Sequence, residues 1–398
     1  MLMLLQDYTM MKAEGFIAQK IRFKGRLSAV AIAISFFVII IAVAISGGFR
    51  HEIRKGVASI TGDIVLTSPS TGYYGEDNPI SATPSYMDRL LEVKGVESIS
   101  PAVYRAGIVR AGSDIHGVMI KGTPDYADTT TLGVSVPRRL ADLLRLKEGD
   151  PMLTYFVGER VKVRKFIVSS IYDSLIDYDE TLIVHARMSD LQRLNGWDSD
   201  RVSILEVGLD DRRRSDAEIR GISHEIGGIS LNCAGEDEDV LVATAAVDRY
   251  STLFDWLNLI DFNVGAILIL MTIVAGFNMI SGLLILLFRN ISTIGTLKAL
   301  GMTDKGIAGV FLRVSSRIVL IGMAAGNALA LLFCLIQGST HLIRLNPENY
   351  FVSFVPVKVD LLSVLAADAA AFAAIMLLLL IPSMFISKID PSETVKSE

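Results

Sequence analysis

The chain has 398 residues, 51% of them apolar, with a mean hydropathy of +0.46. That is too apolar for an ordinary soluble protein of this size. The formal charge of −5 says little about partners, but no basic patch interleaved with aromatics appears, so no nucleic-acid partner is expected.

Residues 1–26 carry five Lys or Arg, and the first apolar run follows at Leu27–Phe49. It is long enough to cross a hydrocarbon core of about 30 Å as a helix. Its basic flank and Ala42-Val43-Ala44 imitate a secretion signal. The apolar character nevertheless continues through Ile45, past the roughly 7–15 residues of a cleaved signal. An uncleaved anchor is expected.

Residues 50–260 have ordinary globular composition and read as α+β. "GDIVLTS" (62–68) and "RVKVRKFIVSSIYD" (160–173) are β-rich and partly alternating. Helical patterns fall at 85–95, with Ser85 as its cap and Gly95 as its stop, and again at 136–150 and 186–197. Two modules are expected: one discontinuous, 50–130 with 201–245, and an insert over 131–200.

Three more apolar runs follow, Val264–Phe288, Ile318–Gly338 and Leu361–Ile381. They place spans at 261–288, 318–338 and 361–385, with loops 289–317 and 339–360 and a tail 386–398. The 289–317 loop carries five Lys or Arg, the 339–360 loop only Arg344 and Lys358. Positive-inside asymmetry puts both termini and the 289–317 loop in the cytoplasm and residues 50–260 on the far side, which in a two-membrane bacterium is the periplasm. The fold class expected is an α-helical membrane protein with four transmembrane helices. A large α+β periplasmic domain lies between the first and second.

Nothing catalytic stands out. The five histidines are scattered, "GEDED" (235–239) lacks the spacing of an EF-hand loop, and no G-x-x-x-x-G-K-[ST] occurs. Cys233 and Cys334 fall in different compartments, so no disulfide joins them and neither has metal-ligand neighbours. No catalytic residue and no metal site is expected.

The stretch "NISTIGTLKALGM" (290–302) leaves the second span. Ile291, Ile294, Leu297 and Leu300 recur every three residues as one apolar stripe, and Gly301 supplies a stop. Such a helix either lies on the membrane surface or docks in a partner's groove.

The same residues, with Arg289 and Lys298, resemble the coupling helix of the FtsX/MacB/LolC superfamily of ABC transporter permeases. Asn290 stands where that family usually has Glu. "VAGFNMISGLLILLFRN" (274–290), "FIVSSIYDSLIDYDETLIV" (166–184), "LNPENYFVSFVPV" (345–357) and "ISKIDPSETVKSE" (386–398) are similar, in order, to the LolC/LolE-like lipoprotein-releasing permeases of Bacteroidota.

The resemblance implies a non-catalytic subunit that extracts acylated lipoproteins from the outer leaflet of the inner membrane. It implies a LolD-like ABC ATPase dimer, which binds ATP and Mg, with no cofactor in this chain. The other partners implied are a second permease copy (identical or LolC/LolE-type), triacylated cargo, membrane lipid and a LolA-like periplasmic chaperone. Coupling would fall to Ile291, Ile294, Leu297, Lys298, Leu300 and Gly301. A cargo cavity between protomers would be lined by Phe36, Phe37, Ile40 and Ile41 with Ile267, Met271, Val274 and Phe277. "YFVGERVKV" (155–163) leaves room only for a tight turn at Gly158-Glu159, where chaperone-binding members carry a long hook.

In the third span Gly322, Gly326 and Ala330 form a ridge for close helix approach, expected to pack on the alanine-rich fourth span. Asn278 and Asn327 are expected to hydrogen-bond between helices. Two other readings stay open: a MacB-like permease driving efflux, and an FtsX-like regulator of a cell-wall hydrolase.

Overall fold

The computed structural model describes residues 26–69, 78–111, 114–126, 132–157, 161–174, 182–210, 215–236 and 238–383. The N-terminal segment up to residue 25, the whole 386–398 tail, the Gly158-Glu159 turn and part of the acidic 235–239 run lie outside them. The chain divides into two units. One holds residues up to Gly48, Asn258–Leu342 and from Pro356 onward, and the other holds Phe49–Leu257 with Ile343–Val355.

Among the described residues, four helical stretches are long and apolar enough to cross a membrane: α1 (Arg26–Thr61), a second from Ser251 to Arg289, a third from Asp304 to Thr340, and Leu361–Ser383. The first three have 36, 39 and 37 residues. At about 1.5 Å per residue each outruns a hydrocarbon core of about 30 Å. α1 continues through Gly47-Gly48, past the Phe49 end of the first apolar run. A Cβ on Gly48 would lie 2.3 Å from the Pro356 carbonyl oxygen, so the bare backbone is what lets the two segments approach. The helix ends at Thr61, where Gly62 takes a φ of +74°.

The Phe49–Leu257 unit is built on strands β1 (Ile64–Thr67), β2 (Ile80–Ser81), β3 (Val96–Ala111), β4 (Asp114–Thr123), β5 (Gly133–Pro137), β6 (Pro151–Phe156), β7 (Lys162–Tyr172), β8 (Ile183–Arg187), β9 (Arg201–Val202), β10 (Ile204–Leu209) and β11 (Val242–Ala245). Nine of them order as β11-β1-β10-β3-β4-β8-β5-β7-β6, and β6 pairs back onto β3. The pairings β3–β4–β8–β5–β7–β6–β3 therefore close into a six-stranded ring, which removes the free edges that an open sheet presents. β3, sixteen residues long, belongs both to this ring and to the open sheet β11-β1-β10-β3. The expected insert makes no sheet of its own. Its strands β5 to β8 complete a ring begun by β3 and β4. Gly107 on β3 faces the ring interior, where a Cβ would meet Thr154 at 2.8 Å and Phe156 at 3.1 Å.

Short helices α2 (Met87–Leu91), α3 (Arg138–Leu144) and α4 (Met188–Asn195) occupy the three helical patterns. Ser85 is not the cap of α2. Its hydroxyl and backbone N–H both bond Glu238 instead, and Tyr86 takes the cap position without a side-chain bond. α5 (Asp216–Cys233) opens on a full capping box between Ser215 and Glu218. α6 (Ala246–Arg249) leads into α7 (Ser251–Arg289), followed by α8 (Ile291–Ala299), α9 (Asp304–Thr340), α10 (Pro347–Tyr350), α11 (Leu361–Leu378) and α12 (Leu380–Ser383).

In the helical unit, Ile32, Phe36, Ile39 and Ile40 of α1 pack in one apolar core with Ala275, Met279 and Leu283 of α7, Phe311 and Val319 of α9, and Ala371 and Ile375 of α11. The glycine ridge of α9 faces α1, which corrects the expected packing on the fourth span. A Cβ on Gly322 would sit 2.7 Å from Ile32 Cγ2, and one on Gly326 2.4 Å from the Ala33 carbonyl oxygen. Backbone meets backbone there because neither glycine has a side chain. α9 meets α11 through a polar pair instead, Asn327 Nδ2 donating to Asp368 Oδ2 at 2.5 Å.

Candidate coupling helix, membrane face and helix clamp

α8 follows α7 after a single residue, Asn290, whose side-chain amide turns back to the Leu286 carbonyl (2.8 Å) and caps nothing. The helix stops by a left-handed turn: Gly301 has φ +89°, its N–H bonds the Lys298 carbonyl, and Met302 N–H bonds that of Leu297. Thr303 then caps α9, and Lys298 Nζ reaches Asp304 Oδ1 at 2.9 Å across the turn.

The expected docking stripe is divided by this geometry. Ile294 is fully buried, and Leu297 packs on the same four-helix core. Ile291 is exposed, and Leu300 is 79% exposed. Ile294 and Leu297 therefore hold α8 onto its own chain, while Ile291 and Leu300, on opposite sides of the helix, are left exposed. A three-residue spacing runs across a helix of 3.6 residues per turn, so the ends of the stripe rotate away from its middle.

The eight expected cavity residues also separate. Phe36 and Ile40 are fully buried in the chain's own core, with Phe36 against Gly326. Phe37 lies edge-to-face with Phe333, their centroids 6.5 Å apart, and Ile41 and Met271 are partly buried on that core. Ile267, Val274 and Phe277 are exposed, together with Leu270, as one apolar face of α7. Another face of α7 borders an apolar cavity of about 570 Å³, walled by Ile269 and Ile273, Ile39 of α1, and Ala370 and Ala374 of α11. None of the eight lines it.

At the end of α1 lies a cluster that sequence reading missed. Tyr104 on β3 and Lys121 on β4 are cross-strand partners. Tyr104 Oη donates to the Ile60 carbonyl at 2.7 Å, and Lys121 Nζ donates to it at 2.6 Å. Both also bond Glu206 on β10. Burial first, and Glu206 second, push the Tyr104 phenol well above its ordinary value, so it stays a donor. Arg54, one helical turn and a half earlier, is ion-paired with Asp216 at the start of α5. The signal for these groups is long-range pairing, which no local pattern carries.

Family models for the MacB-like periplasmic core domain and the FtsX-like permease C-terminal region match residues 27–225 and 265–391. The chain belongs to the FtsX/MacB-like permeases. It is 23% identical over 94% of its length to the lipoprotein-releasing system transmembrane protein LolE of Haemophilus influenzae, covering 94% of that protein. It is 20% identical over 97% of its length to the corresponding LolC of Xylella fastidiosa, covering 96% of it. The solved periplasmic region of MacB from Actinobacillus actinomycetemcomitans overlaps 50% of this chain and 94% of that one, at 13% identity and a TM-score of 0.30.

The permease is thus a multi-pass membrane subunit of an ABC transporter type. Its membrane helices present an apolar face on α7, a short helix with two exposed anchors, and a clamped end of α1.

Proposed function

We propose that this permease extracts acylated lipoproteins from the outer leaflet of the bacterial inner membrane for transfer toward the outer membrane. A separate ATPase, which binds ATP and Mg, drives it through α8. Both termini and α8 lie in the cytoplasm and the α+β domain in the periplasm. The reading is carried by the end-to-end likeness to proteins named as lipoprotein-releasing permeases. Drawing an acyl chain out of lipid costs about 0.8 kcal/mol per CH₂, so a triacylated anchor needs both a sheltering apolar surface and ATP. The exposed Ile267, Leu270, Val274 and Phe277 of α7 are the surface offered, facing a second permease copy across the cargo. A LolA-like chaperone would receive the product.

The test is release of a triacylated lipoprotein from vesicles carrying the permease and its ATPase. Phe277→Asp should abolish release and leave ATP hydrolysis running, because a carboxylate on a lipid-facing site costs about 2.5–3.5 kcal/mol at mid-membrane. Depletion in cells should leave lipoproteins in the inner membrane. Hypersensitivity to drugs with normal lipoprotein sorting would instead establish the MacB-like efflux reading, which the periplasmic-core match over 27–225 favours as second choice. Thiol labelling of a cysteine placed at Leu300 from the periplasmic side would overturn the orientation.

A further inference from the structure

The four apolar runs, 27–49, 264–288, 318–338 and 361–381, contain no Lys, Arg, His or Glu, and Asp368 is their one Asp. A carboxyl group in such a place is expensive to keep and marks a functional site by default. Asp368 does not turn outward. It is 6% exposed, and its Oδ2 accepts from Asn327 Nδ2 of the third span at 2.5 Å. Its Oδ1 and the Asn327 Oδ1 are both buried without a hydrogen-bond partner. Among the described residues no cation pairs with Asp368. α1 and α7 offer no titratable side chain within their apolar runs, and α9 offers only Cys334, about two turns beyond Asn327. Two buried acceptor oxygens that no donor reaches form an arrangement that an ionised carboxylate leaves unsatisfied.

We propose that Asp368 is a proton-binding site inside the membrane bundle, and that its neutral acid latches the fourth span to the third through Asn327. A proton on Oδ1 supplies a donor where the two unpaired oxygens have none, while Oδ2 keeps the bond from the Asn327 amide. Loss of that proton leaves a bare charge between two helices that otherwise meet through apolar and small side chains, so the latch loosens when the site empties. The site makes the α9–α11 contact responsive to proton supply, independently of what the transporter carries.

The test uses the full chain in phosphatidylcholine vesicles. Dicyclohexylcarbodiimide, which adds to protonated carboxyl groups in lipid, should label Asp368 at neutral pH, as mapped by mass spectrometry of the digested chain. Infrared spectra should show a protonated carboxyl band that disappears in Asp368→Asn. In Asn327→Leu the band should persist and move to higher frequency, since the carbonyl loses its donor, and this variant serves if Asp368→Asn does not fold. Absence of both adduct and band in the wild type would overturn the proposal. So would a band unchanged in Asp368→Asn or unmoved in Asn327→Leu. Labelling that sodium chloride suppresses relative to a sodium-free buffer would make the pair a cation site, and that too would overturn it.

Discussion

Tyr104 and Lys121 stand opposite each other across β3 and β4, and both donate to one acceptor, the Ile60 carbonyl near the end of α1. A helix leaves its last carbonyls unpaired, and a cation there also meets the negative end of the helix dipole. Glu206 balances the charge, 2.8 Å from Lys121 Nζ. The clamp holds the helix end to the sheet through polar bonds in a buried setting.

Removing one member should cost more than a single hydrogen bond. Lys121→Met strands the Glu206 carboxylate beside Tyr104 and is expected to destabilise the domain by about 3–5 kcal/mol. The double variant Lys121→Met with Glu206→Gln should recover part of that loss, because no bare charge remains. Thermal melts of the purified chain in detergent, followed by circular dichroism, give both values.

The pH response of the domain follows from His185. Burial, and then Lys121, hold its imidazole down to about 4 against an ordinary 6.5. The unfolded chain therefore takes up the proton first as pH falls. Stability from this group is complete above about pH 6.5 and drains away down to about pH 4, at up to about 1.4 kcal/mol per pH unit. His185→Gln should flatten the melting temperature across that interval, and an unchanged slope would show that another group sets it.

The two halves of the α8 stripe should respond differently to charge. Leu300→Asp places a carboxylate on an exposed position and should reduce ATPase copurification and ATP-driven release, with the melting temperature unmoved. Ile294→Ala removes packing from the chain's own core and should cost about 2–5 kcal/mol of stability. If Leu300→Asp retains a full complement of ATPase, α8 is an interfacial turn and not a coupling element.

Gly326→Ala tests the approach of α9 to α1. A methyl group 2.4 Å from the Ala33 carbonyl oxygen forces the helices apart, and overpacking of this kind costs about 1–3 kcal/mol. Ala330→Gly, one turn on, removes a methyl without forcing movement and should cost less. A melt of each variant in the same detergent ranks them.

Several features were open to reading in one dimension. Four apolar runs of sufficient length specify membrane helices because lipid offers the backbone no partner except itself. The Gly301 stop and the Thr303 cap of α9 are local rules and appear where local chemistry puts them. Asp368 stands as a lone charge in "LAADAAAF", and Ser215-x-x-Glu218 spells a capping box.

What only the tertiary structure decided is which residues meet. Periodicity says that Ile294 and Leu300 share an apolar pattern, but burial of one and exposure of the other depends on where the α9 core lies. Small residues announce close approach without naming the neighbour, so the Gly322–Gly326 ridge met α1 and not the fourth span. The ring that joins β6 back to β3, and the clamp of Tyr104, Lys121 and Glu206 on Ile60, bring together residues separated by up to about 150 positions. No local propensity encodes such pairings. They are selected when the whole chain compacts, because closing a sheet satisfies its edge and burying Lys121 is tolerable only where Glu206 and a helix carbonyl already wait for it.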